Sequence, residues 1–585
     1  MGPGRLEPPH DRAPLKPVQG RDHLHFKKSI VHVERALIGP YAHGMPFRRN
    51  KWAPGRRASA HQGIGSSGVH RFLALLPCLL ALSACKVGPD YRPPELSVAE
   101  RWTEAADDRV DTASVDHRDW WNTFNDPTLS ELISLAQAQN LPLRMAGLRI
   151  MESRARLGRA VGGLYPQVQQ AFGSYSRVTL SESANPVPIS GLPFSNGIDG
   201  RFSNYQLGLG AVWELDLWGS IRRGIDAADA SYVASVATYD DYLVSLTAEV
   251  AITFVTIREL DERLELARRN VGLQEASLSV AESRFRNGRT SELDVSQAKA
   301  LLGTTRALVP ALHTAAVQAR NGLAILLGMR GDELSAVLPR EGVIPSAPES
   351  VAVGIPGDLM RRRPDIRLAE LQAMMQCAQI GIAKSDLLPK FGIGGAFGVS
   401  AASASSLFSN SDTGFFGPYF TWNILNYGRI TNNVRAQDAK FQSLLVNYQH
   451  TVLRAQREVE DAMAGFIGSH EQVASLTEAV AASERAVELA TDQYRAGSAP
   501  YTRVLNTQQF LTRQQDLLTT SRGDVCRNLV GLYRALGGGW QIREGRPLVP
   551  ADTQQEMKDR TDWGELLKEA SDVPDIHAAQ KIPVG

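Results

Sequence analysis

The chain has 585 residues, and its 63 basic and 62 acidic side chains leave a formal net charge of +1, a balance that excludes a dedicated nucleic-acid binder. Its four cysteines, Cys78, Cys85, Cys377 and Cys526, form no CxxC or Cys/His cluster, so neither a disulfide framework nor a zinc site is expected. The longest strongly apolar stretch, Phe72 to Ala84, falls short of the ~20 residues of a membrane-spanning helix, so a membrane span in this chain has to be built from strands.

Residues 1–68 are rich in Pro, Gly, Arg and His and have no sustained apolar periodicity, so they cannot bury a core. The pairs Arg48-Arg49 and Arg56-Arg57 leave a twin-arginine export signal open, but the expectation is an over-extended reading frame with translation beginning near Val69. Residues 69–84 then read as a signal peptide: Arg71 in a short basic region, an apolar run, and Leu82-Ser83-Ala84-Cys85, which fits the bacterial lipobox. A covalent lipid on Cys85 is the one prosthetic group expected. Lys86 in place of aspartate directs the product to the outer membrane by the common sorting rule. "KVGPDYRPP" follows and breaks any helix through Gly88, Pro89, Pro93 and Pro94, opening a segment over 85–128.

From residue 129 the chain is written twice. Leu243, Val250, Ile257, Leu264, Val271, Leu278 and Phe285 form a seven-residue apolar series. Adding 209 gives Val452, Val459, Phe466, Val473, Val480, Val487 and Tyr494, also all apolar. The same offset sets "FRNG" (285–288) over "YRAG" (494–497) and "WELDLWG" (213–219) over "WNILNYG" (422–428). Upstream the offset is 223, which sets Gly158, Leu164 and Pro166 over Gly381, Leu387 and Pro389. The fourteen extra residues of the first copy fall between Pro166 and Trp213, where "SANPVPISGLPFSNGIDG" reads as a loop. The repeats are expected at 129–334 and 359–537, with a linker at 335–358 and a charged tail at 538–585.

Each repeat reads as helix, two strands, a very long helix and a helix of intermediate length. Ile221 to Phe285 contains no proline, enough for roughly 100 Å of helix, and its heptads ask for partner helices. The helical pattern stops for hairpins at about 166–218 and 389–427. Tyr205, Leu207, Leu209 and Ala211 alternate there with polar or small neighbours, as in a tilted membrane strand. Trp213, Trp218, Phe420, Trp422 and Tyr427 gather where an aromatic girdle sits. Four strands cannot close a barrel and an open edge is not tolerated in lipid, so several chains have to share one. A dimeric coiled-coil lipoprotein would need no strands, and no Ser/His/Asp or metal-spaced constellation suggests an enzyme.

On the lipobox, "VGPDYRPP", "DWWNTFNDPTLSELI" (119–133), "PGDLMRRRPDIRLAE" (356–370) and the glycine turns at Gly288 and Gly497, the chain resembles the outer membrane efflux lipoproteins, the TolC/OprM-like (NodT-type) channels of tripartite pumps. The resemblance implies an α+β membrane protein, a homotrimeric 12-stranded transmembrane β-barrel continued by a long periplasmic α-helical barrel with an internal duplication in each protomer. It implies a periplasmic membrane-fusion adaptor and an inner-membrane RND-type or ABC-type transporter as partners, and leaves the cargo open. An outer membrane duct for protein or peptide secretion is the alternative. The family's periplasmic tip corresponds to "RNGRTSELDVSQA" (286–298) and "RAGSAPYTRVLNTQ" (495–508), where Glu292, Asp294, Arg503 and Asn506 are the candidate gate residues. An Asp294–Arg503 pair across neighbouring turns is expected to hold the tip shut. "RRRPDIR" is expected to start a helix, "DWWNTFNDP" to anchor the N-terminal segment, and Cys377 and Cys526 to be apolar fillers.

Overall fold

The computed structural model of the protein describes residues 86–95, 98–113, 117–179, 201–339 and 342–571. Cys85, the expected signal segment and the Pro/Gly-rich loop of the first hairpin lie outside the described residues.

Asp126 caps the first helix, α1 (Pro127–Gln139), by accepting from the amides of Thr128 and Leu129, with Pro127 in the first turn where its missing N–H costs nothing. Asn140 caps α2 (Leu141–Gly162) and its amide also donates to the Leu326 carbonyl at 2.9 Å. Strands β1 (Val168–Thr179) and β2 (Arg201–Leu215) follow, then α3 (Ser220–Arg286, 67 residues) and α4 (Glu292–Leu326, 35 residues). The second copy repeats the plan: α5 (Pro364–Ser385), β3 (Lys390–Ala401), β4 (Asp412–Thr421), α6 (Arg429–Ala496, 68 residues) and α7 (Tyr501–Ala535, 35 residues). As expected from its proline and acid, "RRRPDIR" starts a helix, with Pro364 in the first turn of α5.

The duplication extends to single hydrogen bonds. Trp213 Nε1 donates to the Leu164 carbonyl and Trp422 Nε1 to the Leu387 carbonyl, both at 3.0 Å, so each returning strand is tied to the end of the helix before it. The second hairpin stops at Thr421, short of the expected 427. Beyond it the chain turns at Tyr427 and Gly428, both at positive φ, and Trp422 and Tyr427 sit in the connection to α6.

The four strands form one antiparallel sheet in the order β1-β2-β3-β4. Its register places Leu207 beside Val399, Leu209 beside Phe397 and Trp213 beside Ile393 on one face, all apolar. The opposite face carries Asn204, Gln206, Gly208 and Gly210 against Ser400, Gly398 and Ala396. Leu209 is 65% and Phe416 83% exposed, so this face presents large apolar side chains that call for a covering environment. Among the described residues the outer edges of β1 and β4 have no partner.

The main core lies where α1, α2, α3, α5, α6 and α7 meet. Trp120, Trp121 and Phe124 are buried in it, Trp120 stacked on Tyr533 with centroids 5.1 Å apart, so the N-terminal segment is anchored as expected. That segment crosses the start of α3 first. The Val87 amide donates to the Trp218 carbonyl at 3.0 Å, and the buried Arg223 holds Asp90 at 2.8 Å. Gly88 has φ +105°, and a Cβ there would lie 2.5 Å from the Gly381 backbone, so the crossing requires glycine. Farther on, Val110 and Asp111 pair in parallel with Val351 and Ala352 of the linker between the repeats.

The tail after Trp540 packs closely. Trp540 Nε1 donates to the Arg362 carbonyl at 2.9 Å, Leu548 and Val549 are buried, and helix α8 (Ala551–Arg560) inserts Met557 into the core.

The heptad seam behaves differently along its length. Leu243, Val250, Ile257 and Leu264 are buried as expected, but Val271 and Leu278 are half-buried and Phe285 is exposed. In the turn-proximal part of α3 the buried stripe is Ala267, Asn270, Gln274, Ser277 and Ala281, which faces α7 through polar contacts. Asn270 Nδ2 donates to Gln515 Oε1 at 3.2 Å and Gln508 Nε2 to Ser277 Oγ at 2.7 Å.

Candidate functional site

Both helical hairpins turn in the same way. At the end of α3 the Arg289 amide donates to the Arg284 carbonyl at 2.9 Å across Gly288, and at the end of α6 the Ser498 amide donates to the Gln493 carbonyl at 2.9 Å across Gly497. These are six-to-one Schellman bonds, and they require a left-handed residue at the glycine, with φ +67° and +81°. Gly497→Ala is expected to cost about 1–2 kcal/mol per copy, read as a lower midpoint for heat-induced unfolding, while Gly468→Ala, mid-helix with open space around a new Cβ, is the control that should not lower it.

A small second core, Ala281, Val295, Ala298, Ala490, Tyr494, Tyr501 and Val504, joins the two turns. Tyr494 is its centre. Its ring meets Tyr501 edge-on at 5.3 Å, and the Arg284 guanidinium lies over it at 4.8 Å. Its hydroxyl donates to Asp294 Oδ2 at 3.1 Å, and Thr290 donates to the same carboxylate oxygen. Burial raises the Tyr494 hydroxyl pKa, so it stays protonated and able to donate at physiological pH. Arg284 Nη1 donates to the carbonyls of Tyr494 at 2.6 Å and Arg495 at 3.1 Å, placing a cation on the negative end of α6. The first hairpin is thus latched to the second by Asp294 from α4 and Arg284 from α3, both acting on Tyr494.

Within the protomer the expected Asp294–Arg503 pair does not form. Asp294 faces inward toward Tyr494, whereas Arg503 is exposed and donates to Gln493 Oε1 of its own hairpin at 2.8 Å. Glu292 is exposed in the first turn of α4. Asn506 lines an apolar groove of about 530 Å³ between α6 and α7 with Ala482, Ala486 and Phe510. Sequence reasoning missed Arg284, Thr290 and Tyr494. The available signal was the difference between the copies, since Tyr494 carries the hydroxyl that its counterpart Phe285 lacks.

Above the polar seam the helices are clamped by ions. Arg263 grips Asp516 with both arms at 2.8 and 3.2 Å, Arg527 pairs with the buried Glu259, and Glu262 accepts from the Ile344 amide of the linker at 2.7 Å. Cys377 and Cys526 are buried with their thiols turned to the carbonyls of Pro89 and Pro345, and burial pushes the Cys526 thiol up to about 12. Neither has the low pKa of a reactive thiol. Among the described residues no cluster of His, Cys, Asp and Glu is placed to hold a metal, and no helix is long and apolar enough to cross a membrane.

A four-strand sheet with an exposed apolar face, continued by two long helical hairpins that meet at their turns, is the architecture of the outer membrane efflux proteins. The chain belongs to the outer membrane efflux protein family, which it matches over residues 132–329 and 355–538. It is 32% identical over 477 residues to the outer membrane protein OprJ of Pseudomonas aeruginosa, an alignment covering 80% of this chain and 96% of that protein. The toluene efflux pump outer membrane protein TtgI of Pseudomonas putida is 31% identical over 479 residues, covering 80% and 98%. Among solved structures, the outer-membrane channel OprN matches with a TM-score of 0.72 and 31% identity, covering 78% of this chain and all of that one.

Proposed function

We propose that the chain is the outer membrane channel of a tripartite efflux system, passing drugs or other small toxic compounds from an inner-membrane pump and a periplasmic adaptor to the exterior. The observation that carries this reading is the sheet with an apolar face and, among the described residues, two unpaired edges, β1 and β4. In lipid those edges have to be paired, and pairing β4 of one copy with β1 of the next closes a barrel. Three copies give twelve strands, with Asn204, Gln206 and Ser400 turned to the lumen. The α3–α4 and α6–α7 hairpins then prolong the passage into the periplasm, with a lipid on Cys85 as a second anchor.

The tip is the gate. Opening needs the α6–α7 hairpin to move away from α3–α4 at the turns, and three features favour motion there. The seam through Asn270, Gln274 and Ser277 is polar, the ion pairs of Arg263 and Arg527 hold the opposite end, and the latch itself is a few hydrogen bonds on Tyr494. Glu292, Arg503 and Asn506 are exposed at the tip, where the three copies and the adaptor meet. Relatives named for efflux of toluene, solvents and cations favour efflux over peptide secretion.

The test is expression in cells, recovery of outer membranes and mass measurement after chemical cross-linking. A heat-resistant trimer that forms ion-conducting pores in planar bilayers is expected. A monomer, or a trimer without conductance even after the latch is broken, would overturn the channel. Loss of resistance to a panel of drugs and solvents on gene deletion is the further expectation for efflux.

A further inference from the structure

The lipid-facing side of the sheet is not uniformly filled. Ala211 of β2 and Gly395 of β3 are paired across the strands, and with so little side chain between them they leave a notch in the apolar surface. The next rungs on either side carry large groups, Leu209 with Phe397 toward one end and Trp213 with Ile393 toward the other, while Phe416 closes the β4 side. The notch is an open surface depression of about 360 Å³, at the lower end of the ~300–1,000 Å³ of small-ligand pockets. Its lining is apolar, so the notch fits hydrocarbon and offers nothing to a polar ligand.

The N-terminal segment is held just past the end of β2. Val87 is hydrogen-bonded to Trp218, and Lys86 lies against Gly219 with its ammonium on Asp226 at 3.0 Å. Lys86, the residue that follows Cys85 in the sequence, thus lies at the end of the sheet where β2 runs into α3. From Leu215 to the notch is four residues of strand, roughly 13 Å, and half of a bilayer's hydrocarbon core is about 15 Å. An acyl chain carried next to Lys86 is long enough to run along the sheet past Trp213 as far as Ala211. Attachment through the same polypeptide gives that chain an advantage in local concentration over free phospholipid.

We propose that the notch over Ala211 and Gly395 seats an acyl chain carried by Cys85, an inference that rests on the reading of Cys85 as the lipidated residue. Cells fed a palmitate bearing a diazirine supply the probe. The trimer is irradiated, digested and analysed by mass spectrometry. The expected product joins the Cys85 peptide to residues 209–213 of β2 or 393–397 of β3. In Ala211→Leu, which fills the notch, that cross-link is expected to fall several-fold while the lipid mass on Cys85 and the heat-resistant trimer are retained. A labelled Cys85 whose cross-links spread evenly over the outward residues of all four strands, or go only to phospholipid, overturns the seat and leaves lipidation intact. An N-terminal peptide without lipid overturns both. Should Ala211→Leu fail to assemble, the wild-type cross-link map decides alone.

Discussion

Channels carrying Tyr494→Phe together with Arg284→Ala are expected to conduct several-fold more than the parent in planar bilayers at the same voltage and salt. Phenylalanine keeps the ring that fills the small core beside Tyr501 and removes only the hydroxyl donated to Asp294 at 3.1 Å. Removing Arg284 frees two carbonyls at the end of α6 and takes a cation from its negative pole. Hydrogen bonds with a charged partner are worth about 1.5–3 kcal/mol each and neutral ones about half that, so each copy loses a few kcal/mol of latch. In the trimer proposed above, three symmetric copies multiply the bias toward the open tip. Each single variant is expected to be intermediate. Arg503→Ala is the informative control: within the protomer its guanidinium donates to Gln493 of its own hairpin and takes no part in the latch, so conductance should stay near the parent value. Unchanged conductance in the double variant would rule out the latch, and opening by Arg503→Ala alone would restore the electrostatic pair that the sequence suggested.

The contrast between Asp294 and Arg503 shows where sequence reading stops. The duplication, the two glycine turns, the four strands and the long helices were all legible, because each is encoded by local chemistry: period two, period seven, or a residue that tolerates positive φ. The length of α3, for example, follows from the absence of proline between Ile221 and Phe285. Partner choice at the tip is not local. Two hairpins related by the internal repeat present Asp294, Arg284 and Arg503 within reach of several groups, and which pairs form depends on the rotation of one helix against another. A heptad count fixes that rotation only while the seam stays on one stripe. Here it moves, from Leu264 to Ala267, Asn270 and Gln274, and Phe285 is left facing outward. The tail was illegible for a related reason. Leu548, Val549 and Met557 are too few for a periodic signal, and they are buried only because α2 and the main core offer them a surface.

That tail supplies the largest expected effect on stability. Asp240 of α3 is 1% exposed, and both its oxygens are held by Arg543, at 2.5 Å to Nε and 3.2 Å to Nη2. Asp240→Ala leaves a nearly buried guanidinium without its acceptor, and losing one partner of such a pair costs about 3–5 kcal/mol. Release of the segment after Trp540 should follow, seen as rapid proteolysis near Arg546 and Lys558 and a lower temperature of heat-induced unfolding. Replacing both partners by apolar residues, Asp240→Leu with Arg543→Met, should recover most of the loss, because a packed apolar pair avoids the desolvation that the ions bear. The pair also sets a direction with pH. Burial, opposed by Arg543, raises the Asp240 carboxyl to about 7, above the ~3.9 of an unfolded chain. The folded state then binds the proton more tightly than the unfolded one. The stability linked to this proton is fully present below about pH 4 and is lost progressively as the pH rises toward about 7. Tail protection in the parent should therefore weaken over that window relative to Asp240→Asn, which has no proton to lose. A parallel pH dependence in the two proteins would show that the buried carboxyl titrates alike whether the tail is docked or free, and would remove Asp240 as the source of the slope.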